Sequence, residues 1–90
     1  MDTVYFADGS SVGTTKLLFL PDMGVLYIYV PGMSWQDAVS VFTDATKTKK
    51  ITYIGKEILG YTHVDCIMKE AGGLKACLSL ERTQDVASQE

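Results

Sequence analysis

Apolar and polar positions along this chain sort it into short extended segments set around one helical segment. Thr3 to Ala7 is rich in β-branched and aromatic residues and stops at Asp8-Gly9, a strong turn signal. A second extended segment is expected from about Gly13 to Leu20. Pro21-Asp22-Met23-Gly24 ends it, since proline presets φ and glycine supplies the positive φ that closes such turns. Val25 to Val30 is apolar or aromatic at every position, the pattern of a strand covered on both faces, and Pro31-Gly32 stops it.

Ser34 opens the one helix the pattern predicts. Its hydroxyl can cap the amide of Asp37, whose carboxylate can reach back and also favours the positive helix end. Trp35, Ala38, Val39 and Phe42 fall at i, i+3, i+4 and i+7, one apolar stripe, with Trp35 as the expected core anchor. The helix should end near Ala45 or Thr46. Lys47, Lys49 and Lys50 then follow as a solvated exit that complements the dipole.

The rest reads as an antiparallel meander of Ile51 to Gly55, Tyr61 to Lys69 and Leu74 to Glu81. Its last hairpin has two candidate registers. An odd-numbered loop with a left-handed glycine puts Val64, Cys66 and Met68 on one apolar face with Leu74, Ala76, Leu78 and Leu80, and is preferred. A two-residue Gly72-Gly73 turn would pair Glu70 with Lys75 and set Asp65 opposite Leu80 on the apolar side. The expected class is α+β in the order β-β-β-α-β-β-β, with the helix packed on an antiparallel sheet or a small partly closed barrel. Residues 1–81 make the single domain, and 82–90 a flexible tail with little to bury.

Composition narrows the function classes. Ninety residues leave no room for a second core, and 47% hydrophobic with 21% charged residues is the balance of a folded domain. The apolar runs are far shorter than the ~20 residues of a membrane-spanning helix, and the first residues lack the pattern of a signal peptide. Net charge is −3, which argues against nucleic acid as partner. A cytoplasmic location is the expectation.

His63-Val64-Asp65-Cys66 brings nucleophile, base and acid types together. On a regular strand His63 and Asp65 share a face while Cys66 points away, so no catalytic pair is expected. Cys66 and Cys77 fall on opposite faces in the preferred register, which forbids an unstrained disulfide and leaves Cys66 as a small buried hydrophobe. Two cysteines and one histidine are too few for a zinc site, and no glycine spacing suits a nucleotide. Neither metal, cofactor nor catalysis is therefore expected. Tyr27, Tyr29, Tyr53 and Tyr61 exceed what a thin domain easily buries, and their exposed members are the candidate interface.

From Gly32 to Asp44 the chain resembles small prophage-encoded proteins of Gram-positive gut bacteria. The shared features are the Asp8-Gly9 turn, the Gly32-x-Ser34-aromatic-x-x-Ala38 helix opening and Phe42-Thr43-Asp44. Gly60-Tyr61-Thr62 and an alternating final strand follow. The resemblance implies a phage-derived protein made alongside virion components, and it carries over no functional residues. The reading that follows is a non-enzymatic structural or assembly protein that contacts proteins, itself included. A monomeric adaptor binding a host or phage protein through a sheet edge is the alternative.

Overall fold

In the computed structural model, which describes residues 1–80, the chain forms two four-stranded antiparallel sheets that do not close into a barrel. The elements are β1 (Asp2–Tyr5), β2 (Ser11–Thr14), β3 (Lys16–Leu20), a 3-10 turn (Pro21–Met23), β4 (Val25–Val30), α1 (Trp35–Phe42), α2 (Ala45–Thr48), β5 (Lys50–Tyr53), β6 (Lys56–Leu59), β7 (His63–Glu70) and β8 (Gly73–Ser79). The first sheet has the order β2-β1-β5-β6 and the second β3-β4-β8-β7. The class is α+β, as the pattern predicts. The expected tail of 82–90 lies outside the described residues.

One core joins the sheets and the helix. Val4, Ile51 and Ile58 come from the first sheet, Leu26, Ile28 and Leu78 from the second, and Ala38 and Phe42 from α1. Phe42 meets Phe6 edge to face at 6.0 Å, and its full burial contributes about 1.5–3 kcal/mol.

The helix starts as read: Ser34 Oγ accepts from the Asp37 N–H at 3.2 Å. It stops earlier, at Phe42, because Asp44 caps a new short helix by accepting from the Thr46 N–H at 3.0 Å. Its buried arc is also rotated from the expected stripe. Ala38 and Phe42 face the core, Val41 packs beside them, and Trp35, the first helical residue, is 48% exposed. Trp35 is therefore not the core anchor. Nor is the lysine run simply solvated: Lys47 Nζ lies 2.6 Å from Asp8 Oδ2, and its carbonyl accepts from the Ala7 N–H. These bonds tie α2 to the first turn of the chain.

The segment expected from Gly13 to Leu20 divides at Thr15, and its halves join different sheets. Buried Thr14 makes the corner. Its hydroxyl sits 2.6 Å from the Tyr29 carbonyl and 2.8 Å from that of Lys16, and it accepts from the Lys16 N–H. The meander is divided as well. β6, which the pattern did not suggest, pairs with β5 in the first sheet, whereas β7 and β8 belong to the second.

The last hairpin follows neither expected register. It turns on Ala71-Gly72, with Glu70 opposite Gly73, Ile67 opposite Ala76 and Cys66 opposite Cys77. Gly72, at φ +88°, suits the second position of such a turn. Beyond Cys66 the ladder shifts by one residue at Asp65, so that Val64 faces Leu78 and His63 faces Ser79. Asp65 is the extra residue of a β-bulge, which keeps its carboxylate off the apolar face.

Candidate functional site

Strand β4 carries the clue to the site. It reads as a strand buried on both sides, yet only Leu26, Ile28 and Val30 are buried, while Val25, Tyr27 and Tyr29 on the other face are only partly buried. The register extends that second face across the sheet. Leu18, Tyr27, Cys77 and Cys66 form one row, and Lys16, Tyr29, Lys75 and Met68 the next. A third row, Leu20, Val25, Ser79 and His63, lies toward the end of β8. Sheet geometry thus gathers aromatic, aliphatic and sulfur side chains on the face turned away from the core.

Two lysines lie over the aromatic rings. Lys75 Nζ is 5.2 Å from the Tyr27 ring centre and 5.7 Å from that of Tyr29, and Lys16 Nζ is 5.7 Å from the latter. Such cation–π contacts add about 0.5–1 kcal/mol each at exposed positions. Burial works against the Lys75 charge, but Glu70 at 3.8 Å, then Tyr29, Cys77 and Tyr27, outweigh it and raise its pKa above the usual lysine value.

The bulge changes what the His63 segment can do. On a regular strand Cys66 would point away from His63 and Asp65. Here His63 and Cys66 oppose two residues of β8, Ser79 and Cys77, that share a face. His63 Nε2 lies 3.3 Å from Asp65 Oδ1, and Ser79 Oγ donates to that same oxygen at 3.2 Å. Cys66 and Cys77 therefore face each other on one side of the sheet, not opposite sides. Cys66 is exposed and Cys77 buried, the reverse of the expected role for Cys66. Burial first, and then the hydrogen bond and negative field of Cys66, push the Cys77 thiol up to about 12.

The four candidate tyrosines separate. Tyr27 and Tyr29 lie side by side on the outer face. Tyr61 is buried, edge to face with Phe19 at 5.6 Å, and is a core residue, not an interface one. Tyr53 belongs to the first sheet, where its hydroxyl meets Asp2 Oδ2 at 3.1 Å. Burial, then that bond, raises its pKa. The sequence reading did not place Leu18, Lys75, Cys77 and Met68 beside these tyrosines, because their common face depends on cross-strand register and leaves no local signal.

A cleft of about 340 Å³ lies elsewhere, lined by Met1, Val12, Gly13, Gly32, Met33 and Asp37. His63 does not line it. Among the described residues no three His, Cys, Asp or Glu side chains converge as a metal site, and no helix is long and apolar enough to cross a membrane. No family model, curated protein or solved structure matches the chain.

Proposed function

We propose that this chain is a non-enzymatic structural or assembly protein of phage or prophage origin, which associates with further copies of itself through the outer face of its second sheet. The observation that carries this reading is β4: a six-residue strand apolar on both sides but fully buried on only one. The largest apolar patch on a small monomer is often its interaction site, and aromatic residues and methionine, as in Tyr27, Tyr29 and Met68 here, are enriched at such sites. The resemblance of the helix opening and its flanking turns to small prophage proteins supports the phage setting, in the host cytoplasm or the virion.

Size decides the strength of the contact. Four strands spaced at ~4.8 Å, each offering about five residues at ~3.3 Å, span roughly 300 Å². A stable interface buries about 800 Å² per partner. One such face makes a weak, concentration-dependent contact, which becomes effective where many copies are held together and their contacts reinforce one another. That is the regime of an assembly component.

The test is the solution mass by size-exclusion chromatography with light scattering, across a wide range of protein concentration. Mass should rise with concentration in the wild type. It should stay at the monomer value in Tyr27→Lys and Leu18→Lys, each of which adds a cation to the face. A monomer at every wild-type concentration sinks self-association. The adaptor reading draws on another observation: β7, the longest strand, lies at a sheet edge with one side unpaired among the described strands. Its bulge and its charged Asp65, Lys69 and Glu70 are features that blunt edge pairing, so the face is the favoured surface.

A further inference from the structure

Cys66 and Cys77 stand directly opposite each other on neighbouring antiparallel strands. In either kind of antiparallel pair the Cα atoms lie about 4.5–5.5 Å apart, within the roughly 4.4–6.8 Å that a disulfide spans. Both side chains are on the same face, since directly paired residues of neighbouring strands point to the same side of the sheet. They are free cysteines, one exposed and one buried. We propose that this pair is a site of reversible thiol oxidation, at which a low-molecular-weight disulfide converts Cys66 and Cys77 into a cross-strand disulfide. The inference does not rest on the self-association reading.

The environments of the two sulfurs set the order of events. Cys66 is open to solvent, so a dissolved oxidant reaches it first. Its thiolate attacks one sulfur of the small disulfide, forming a mixed disulfide at Cys66 and releasing one small thiolate. Cys77 then gives up its proton to solvent and attacks the Cys66 sulfur, and the second small thiolate leaves. The protein loses two thiol hydrogens as a pair of electrons passes to the oxidant, which ends as two thiols.

The second step is the one that burial slows. Before oxidation, burial together with the hydrogen bond and field of Cys66 holds Cys77 protonated. Capping Cys66 as a mixed disulfide removes the contributions of Cys66, which leaves burial and the negative field of Asp65 against the thiolate and Lys75 in favour of it. Cys77 thus becomes a better nucleophile once its target is in place. It is the resolving thiol.

The experiment is to treat the reduced, full-length protein with excess oxidised glutathione and follow intact mass and thiol alkylation over time. The expected product is a monomer about 2 Da lighter than the reduced chain, resistant to alkylation and restored by dithiothreitol. Peptide mapping should place the link between Cys66 and Cys77. Cys77→Ser should stop at a glutathione adduct on Cys66, and Cys66→Ser should remain unmodified over the same period. Wild-type protein that stays as a stable Cys66 adduct, or that links chain to chain, overturns the proposal. So does faster modification of Cys77 than of Cys66. The wild-type time course decides the matter even if the buried Cys77 substitution impairs folding, and Cys77→Ala provides a second variant.

Discussion

Gly73 begins β8 at the point where the last hairpin passes the Pro31 turn, and the two backbones are in contact there. A Cβ built on Gly73 would lie 2.3 Å from Pro31 Cα, 3.0 Å from its carbonyl oxygen and 3.1 Å from its carbonyl carbon. Carbon atoms pack at about 3.5–4.0 Å, so Gly73→Ala forces an overlap of more than an ångström against main chain that no rotamer change relieves. Overpacking of this kind costs about 1–3 kcal/mol. The backbone adds to it, because Gly73 has φ +154°, where side chains other than glycine incur about 1–3 kcal/mol. The sum, roughly 2–6 kcal/mol, is a large part of the ~5–13 kcal/mol expected for a 90-residue domain. In thermal melts followed by circular dichroism, Gly73→Ala should lower Tm by roughly 10–40 °C. Two neighbours separate the causes. Gly72→Ala, at φ +88° with open space around it, carries only the backbone cost of about 1–2 kcal/mol. Gly32→Ala, with open space and no positive φ, should fall between neutral and about 1 kcal/mol stabilising. If Gly73→Ala melts no lower than Gly72→Ala, the close approach of β8 to Pro31 is wrong.

Trp35→Ala should lower the unfolding free energy from urea titration by less than about 1 kcal/mol, because half of the residue is in solvent; a loss of about 3 kcal/mol or more, as for a core aromatic, would return Trp35 to the core. Thr14→Val should cost about 1–3 kcal/mol by stranding the Lys16 N–H and leaving the Tyr29 carbonyl with only the longer bond from the Thr15 N–H, whereas Thr14→Ser, which retains the hydroxyl, should cost less; equal losses in urea titrations would refute the corner reading. Acid should expose the Asp8 contact. The hydrogen bond from Lys47, then those from Ser10, hold its carboxyl well below the usual range, so its contribution is full above about pH 4 and is lost as pH falls toward the folded-state value. The Tm gap between wild type and Asp8→Asn should therefore narrow from about pH 5 to about pH 2, and a constant gap would refute it.

Features written in neighbouring residues were legible in the sequence. The Ser34 cap needs only the Asp37 amide three residues on, and the Pro21 and Pro31 breaks act within their own turns. The uniformly apolar β4 was recognisable as a strand, but its residues do not state what covers each side. Its outer face belongs to the site because it is only partly buried, under the side chains of Lys16 and Lys75. The pairing of Cys66 with Cys77 was hidden for a different reason. It depends on which two residues turn the last hairpin, and Ala71-Gly72 and Gly72-Gly73 are nearly equivalent as local signals. Gly73 is committed to Pro31, some forty positions earlier in the chain, and only that long-range contact selects the turn. Trp35 was misplaced because a helix of eight residues presents a narrow arc, and Phe6 and the sheet select Phe42 and Val41 over the first turn.

The bulge at Asp65 also bears on how the length of this chain can change. The ladder on one side of it matches Val64 to Leu78 and on the other Cys66 to Cys77, consecutive residues of β8. A chain lacking residue 65 would keep both matches and close the strand into an uninterrupted ladder, losing the links from Asp65 to His63 and Ser79 but turning no core side chain outward. Removing a residue at most other points of β7 would invert the faces of everything between the cut and the nearest turn. Codon deletions in this strand thus have one place where the frame of the sheet absorbs them, and Asp65 is a natural point for trimming or splicing the strand.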